Sequence, residues 1–396
     1  MGRGKKDPIV IKTGCDILAK SARTRLKDRR VGLLANPASV TSRLVHLSTA
    51  LSDQRIRLEC IFGPQHGYRG ETQANMIEWQ GYLHPALGIP VYSLYGEKRE
   101  PDSFMIQDLD ALVIDLPDVG ARPYTYLWTA VIMMKACAAG EIAVTICDRP
   151  NPLGGSSVEG PMLLHDHTSF VGLYPLPMKH GLTMAEAMNL LNEREGIGCK
   201  LNIIRMKGWE REMFFEDTGQ PWIMPSPNIP TPETTVLYPG MVLLEGTNLS
   251  EGRGTTRPFE LIGAPWIEPE VLARALTRAG LEGVAFRPVH FEPAWDKHEK
   301  TVCGGVQIHV TKRRAFKPVR CAATILDTVA KLYPGEFSWS DPPYEYEFER
   351  KPIDVIAGGP GIREAVDSGE GTAGLFEKWK AEEQQFRRSR KPFLLY

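Results

Sequence analysis

The sequence predicts a doubly wound α/β protein, a parallel sheet with helices on both faces, followed by a smaller α+β domain. Three observations carry this. Short apolar runs alternate with helical patterns over the first half of the chain, the alternation that builds parallel sheets. The runs are continuously apolar, as strands buried on both faces require. Nearly every run ends in a polar cluster: Asn36, then Gln65 and His66, Tyr95 and Glu97, Asp115 and Asp118, and Asp148, Arg149 and Asn151. In a doubly wound sheet the C-terminal strand ends share one edge, so these residues converge there.

The elements follow in order. Residues 30–35 (RVGLLA) form a strand stopped at Asn36-Pro37. Leu44, Leu47 and Leu51 give 43–51 helical spacing. Strands follow at 57–61, at 89–95 and at 110–116. Residues 124–139 form a helix rich in Ala and Met, and 141–147 a strand running into Asp148. Residues 183–193 form an amphipathic helix in which Thr183 and Glu186 have capping-box spacing. A further strand lies at 200–205, and the charge run 23–30 reads as a solvated helix face. From 209 to 260 the chain is irregular and proline-rich. Loops this long in a compact protein are usually functional. After Pro265 the pattern restarts with a helix at 269–279, antiparallel strands at 284–291 and 306–310, and a helix at 320–332. A last strand at 353–356 and helices at 362–368 and 375–387 complete the chain. The domain boundary falls within 230–265, and dividing at 245/246 gives domains 1–245 and 246–396.

Composition narrows the function. At 396 residues the chain has length for two full cores. A net charge of −1 gives no basic field for nucleic acid or a membrane surface. The seven cysteines are scattered without a CxxC pair, which argues against a zinc ribbon or a disulfide framework and fits a reduced cytoplasmic setting. The basic start of the chain lacks the apolar region of a secretory signal, and no apolar run is long enough to span a bilayer.

The richest stretch is 62–76, FGPQHGYRGETQANM. It brings Gln65, His66, Arg69 and Glu71 together on a backbone freed by glycines. Neither a P-loop, a GxGxxG after a strand, an HExxH nor a GxSxG is present, so no nucleotide, zinc or serine-hydrolase signature applies. His165-x-His167 lacks a third spaced ligand, so no metal and no cofactor is expected. The loop 251–257 (EGRGTTR) suits an anion. Carboxylates among aromatics remain: Glu71, Asp115, Asp118, Asp148, Glu159, Glu245 and Glu260, with Tyr68, Tyr124, Tyr126, Trp128 and Trp222. Paired carboxylates across a cleft are what glycoside hydrolysis uses.

The motifs GPQHGYRG, PVYSLYGE, DLPDVGARPYTY, CDRPNPLGGSSVEGP, PSPN and EGTNLSEGRGTTRPFE with GAPW occur in that order. Together they resemble the exo-β-N-acetylmuramidase family of glycoside hydrolases (family 171), from about Thr13 to the C-terminal FLLY. The resemblance implies a Rossmann-like N-terminal catalytic domain, a smaller α+β domain closing the cleft, and release of terminal N-acetylmuramic acid from non-reducing ends of peptidoglycan fragments in cell-wall recycling. It departs at one place. Many members read PEHG where this chain has Pro64-Gln65-His66-Gly67, and Gln65 can act as neither acid nor base. The expected catalytic pair is therefore Glu159 and Glu71. The expected substrate-binding residues are Gln65, His66, Arg69, Tyr124, Asn151 and Arg253, with Arg69 or Arg253 holding the lactyl carboxylate. The other readings are a non-catalytic binder of muramic-acid-containing sugars and a hydrolase of a related amino sugar.

Overall fold

The computed structural model describes residues 10–396; the basic start at 1–9 lies outside the described residues. The strands are β1 (Arg30–Ala35), β2 (Arg57–Gly63), β3 (Tyr82–Leu83), β4 (Pro90–Ser93), β5 (Ala111–Asp115), β6 (Ala143–Cys147), β7 (Glu159–Met162), β8 (Pro177–Lys179), β9 (Leu201–Ile204), β10 (Leu261–Ala264), β11 (Val284–Phe291) and β12 (Cys303–Val310). The large sheet has the order β3-β4-β2-β1-β5-β6-β9. All its pairings are parallel except that of the short edge strand β3 with β4. Successive strands add to one side of β1 and then, from β5 onward, to the other. The switch point of this doubly wound sheet thus lies between β1 and β5.

Both faces of the sheet are covered. All of β5 and all but the first residue of β1 are buried, which explains their unbroken apolar sequence. Helix Met184–Arg194 begins with the expected Thr183–Glu186 capping box. An unexpected helix, Gly14–Arg25, begins with a second box, Thr13 and Asp16. Its Asp at N3 replaces the usual Glu or Gln, so the sequence signal was weak. The basic end of this helix supplies part of the 23–30 charge run.

A smaller antiparallel sheet, β10-β12-β11, packs against helices Pro269–Arg278 and Pro318–Leu332. The strand expected at 353–356 is instead a helix, Pro352–Ala357. A four-residue apolar run buried throughout has no readable period, and Pro352 at the first helical position is preset for a helix. One apolar core runs continuously from Leu34 to Phe393. The C-terminus returns to the large sheet, where the Tyr396 hydroxyl donates to Asp148 Oδ2 at 2.8 Å and accepts from the Met206 amide at 2.7 Å. Among the described residues no helix is long and apolar enough to cross a membrane.

Candidate active site

The strand-end polar residues divide into two sets. One set holds backbone. Arg149 pairs with Asp115 through Nε (2.6 Å) and Nη2 (2.8 Å). Asp148 accepts from Thr183 Oγ1 (2.9 Å) and the Ala185 amide (3.0 Å) at the start of helix Met184–Arg194. Asn36 Nδ2 donates to the Pro225 carbonyl at 2.8 Å, and the Tyr126 hydroxyl reaches the same oxygen at 2.8 Å. These bonds fix the proline-rich segment across the sheet edge. Asp115, Asp148 and Asn36 are fully buried and serve this scaffold.

The second set opens into a cavity. Gly63 ends β2 because a Cβ there would sit 2.6 Å from the Trp79 ring and 2.7 Å from the Tyr68 amide. The chain turns at once, and His66 takes a left-handed φ of 68°. Such strain in a non-glycine residue persists only where neighbours impose it. Here Thr72 does so: its Oγ1 donates to the His66 carbonyl at 3.0 Å, and its carbonyl lies 2.6 Å from His66 Nδ1. A carbonyl only accepts, so Nδ1 carries the proton and Nε2 is left as an acceptor. Burial lowers the His66 pKa to about 4, despite the opposing Thr72 carbonyl, and keeps the ring neutral.

Gln65 and His66 line the cavity with Tyr124, Thr125, Asn228, Tyr238, Glu245, Arg253 and Glu345, among others. It encloses about 30 Å³, room for about two waters. A sugar ring enters only when part of the wall moves.

Two carboxyl groups sit in this wall. Glu345 is 3% exposed. Its Oε1 accepts from Gln65 Nε2 at 2.9 Å and its Oε2 from the Tyr95 hydroxyl at 2.7 Å. The Gln65 amide is itself fixed, since its oxygen accepts from Thr125 Oγ1 at 2.6 Å. Burial raises the Glu345 pKa and nearby Glu245 adds to it, against the two hydrogen bonds that favour the anion. Glu245 accepts from Arg253 Nη2 (2.7 Å), the Tyr344 hydroxyl (2.7 Å) and Asn75 Nδ2 (3.0 Å). Arg253 also lies 3.1 Å from Glu251, which Lys297 contacts at 3.0 Å. Burial works against the Arg253 charge, but Glu245 and Glu251 outweigh it and hold it protonated. Its Nη1 is buried without a hydrogen-bond partner.

Of the residues expected from sequence, the structure brings together Gln65, His66, Tyr124 and Arg253. The others lie elsewhere. Arg69 is exposed and stacks on Tyr82, 4.2 Å from the ring centroid. Glu71 is exposed on the following turn. Asn151 is buried in a turn, bonded to the Leu182 carbonyl and the Leu153 amide at 2.9 Å each. Glu159 is fully buried on β7, where Oε1 accepts from the Arg320 amide at 2.9 Å. Burial raises its pKa to about 7 although Lys179 opposes the shift. The expected pair Glu159 and Glu71 therefore share neither a cavity nor an environment. Glu345 was missed: PPYEYEFER carries no spacing that sets one glutamate apart, and its partner Gln65 is 280 positions away. Among the described residues no cluster of three or more His, Cys, Asp or Glu is placed to hold a metal ion.

Two family models cover the chain: "Exo-beta-N-acetylmuramidase NamZ, N-terminal" matches residues 31–233 and the corresponding C-terminal model matches 236–396. Peptidoglycan beta-N-acetylmuramidase NamZ of Bacillus subtilis (strain 168) is 41% identical over 387 residues, 98% of this chain and 91% of that protein. Two crystal structures of DUF1343 family proteins from Bacteroides fragilis NCTC 9343 share the fold. One has a TM-score of 0.88 at 33% identity and covers 98% of this chain and all of its own. The second has a TM-score of 0.77 at 26% identity and covers 98% and 99%. With both halves matched and a relative of this identity along nearly its whole length, the chain belongs to the exo-β-N-acetylmuramidase family.

Proposed function

We propose that this chain is a glycosidase that releases terminal N-acetylmuramic acid from the non-reducing end of peptidoglycan fragments, with Glu345 as its acid. One observation carries the assignment: a buried carboxyl of raised pKa lines the cavity and is held there by Gln65 and Tyr95. Glycoside cleavage near neutral pH needs such a protonated carboxyl beside the leaving oxygen. Each Glu345 oxygen accepts one bond and keeps a second lone pair for a proton. Glu345 gives its proton to the glycosidic oxygen as the bond to the anomeric carbon breaks. Glu245, paired with Arg253, is the second carboxylate and balances the developing positive charge. The neutral His66 offers Nε2 as an acceptor to the sugar's amide or to the attacking water. Arg253 is the arginine of the cavity, and its unpartnered Nη1 suits the lactyl carboxylate that distinguishes muramic acid from glucosamine.

With the division at 245/246, Gln65, His66, Tyr124 and Glu245 come from the first domain and Arg253 and Glu345 from the second, which supports a cleft that both parts close. A cytoplasmic role in cell-wall recycling suits seven cysteines that are all buried and unpaired.

The test is release of N-acetylmuramic acid from a MurNAc–GlcNAc disaccharide, followed by mass spectrometry, beside turnover of a chromogenic N-acetylmuramide. A second reading, a binder without turnover, is favoured by Gln65 standing where many members carry a glutamate. Calorimetric binding of the disaccharide with no product formed would select it.

A further inference from the structure

We propose that Arg99 is a positioning residue that locks the hairpin carrying Glu345 into its catalytic place; the proposal rests on Glu345 being the acid. Arg99 follows β4 in the large sheet, whereas Glu345 belongs to a tight hairpin in which Tyr344 and Glu347 pair. The Arg99 guanidinium carbon lies 3.3 Å from the centroid of the Tyr346 ring, 4.9 Å from that of Tyr95 and 5.8 Å from that of Phe170. Two of these aromatics bear directly on the acid. Tyr95 donates its hydroxyl to Glu345, and Tyr346 is the next residue in the chain.

The charge chemistry is unusual. Arg99 forms no salt bridge among the described residues. Nη1 donates to the Gly96 carbonyl at 2.6 Å, while Nε and Nη2 are buried without a partner. A cation taken from water without a carboxylate is compensated here by ring faces, a cation–π arrangement that strengthens as the site is desolvated. The hairpin needs such a hold. Glu345 and Tyr346 both take left-handed φ, 46° and 67°, which costs roughly 1–2 kcal/mol per non-glycine residue. The other tethers are single contacts: Tyr344 to Glu245, Tyr346 to Glu78 and the Glu345 amide to Met76 sulfur. Since a sugar ring enters only when part of this wall moves, the hairpin must return to one position after each entry. A flat guanidinium sandwiched between Tyr95 and Tyr346 specifies that position; a lysine, with a point charge and no plane, does not. The charged and titratable groups facing Glu345 are Tyr95, Arg99 and Glu245.

The experiment compares Arg99→Met, Arg99→Lys, Tyr346→Phe and Tyr346→Leu with the wild type and with Glu345→Gln, on the chromogenic N-acetylmuramide from pH 5 to 9. A misplaced acid costs on the order of 10²-fold in rate. Arg99→Met, Arg99→Lys and Tyr346→Leu are expected to lower kcat by about that factor with KM changed less, and to displace the alkaline limb of the kcat profile. Tyr346→Phe keeps the ring and is expected to stay near wild type. Purely structural damage would reduce the folded fraction without moving the limb. Should Arg99→Met not fold, Tyr346→Leu carries the comparison from the other side of the stack. Wild-type kcat with an unmoved limb in the folded Arg99 or Tyr346→Leu variants, beside an inactive Glu345→Gln, overturns the positioning role alone. An active Glu345→Gln overturns the acid assignment itself.

Discussion

The Gln65 side-chain amide donates to the Glu345 carboxylate across 2.9 Å, joining residues 280 positions apart. Were residue 65 a glutamate, two carboxyls would share that gap and one pKa would rise strongly. With glutamine there, Glu345 loses a like charge and gains a donor. Its proton is retained by burial and by Glu245.

The first prediction follows from that pair. Glu345→Gln is expected to lower kcat at least about 10²-fold, the lower end for general acid–base catalysis, with KM little changed. Gln65→Glu is expected to fold and to shift the alkaline limb of the kcat profile upward, because two carboxyls now compete for one proton. Steady-state kinetics on the chromogenic N-acetylmuramide decides both. An unshifted limb in Gln65→Glu, or full turnover in Glu345→Gln, places the acid elsewhere.

The sequence announces the large sheet well because every buried strand is continuously apolar and the polar clusters after β1, β2, β5 and β6 do share an edge. It tells less about what each cluster does. Asp148 and Asn36 look like site residues in sequence, yet their partners are backbone groups of the 183–186 and 225 turns. Glu159 sits near Asn151 in the chain but projects under helix Pro318–Leu332. The reverse holds for Glu345, whose meaning comes from a contact across two sheets. Gln65, His66, Tyr124 and Arg253 were legible because glycine-rich turns expose them at strand ends or loops.

A second prediction concerns sugar choice. Arg253 uses Nη2 on Glu245 and leaves Nη1 without a partner. Arg253→Lys keeps a cation against Glu245 and Glu251 but removes the fork that fits a second carboxylate. It is expected to weaken N-acetylmuramic acid binding by about 2 kcal/mol, the low end for losing one partner of a buried charge pair, and to leave N-acetylglucosamine binding unchanged. Calorimetry with both sugars measures the difference. An equal loss for both would assign Arg253 to scaffold.

A third prediction is a stability slope. His66 titrates at about 4 when folded and near 6.5 when unfolded. Between those values the unfolded chain binds a proton that the folded chain refuses. The His66 contribution is therefore present above about pH 6.5 and lost as pH falls toward 4, about 3 kcal/mol in all. His66→Asn tolerates the left-handed backbone and does not titrate. Urea unfolding from pH 4 to 7 is expected to show less acid destabilisation in the variant than in the wild type. Parallel curves would mean that the ring is protonated in the fold.

The last prediction separates Glu159 from catalysis and uses the opposite sign. Glu159 is raised to about 7 by burial, so the folded state holds a proton that the unfolded state gives up above about 4.5. Its contribution is full below that value and is lost as pH rises through 7, while His66 gains over nearly the same range. The two slopes offset each other in the wild type, and single variants expose them. Glu159→Gln preserves the acceptor for the Arg320 amide and removes the titration. It is expected to leave kcat within about twofold, since general-acid loss would cost at least 10². Relative to wild type, its stability is expected to improve as pH climbs from 4.5 to 7. Lys179, lowered to about 8 by burial, adds a slope only above this window. A 10²-fold fall in kcat in Glu159→Gln, with the fold intact, would return Glu159 to the chemistry.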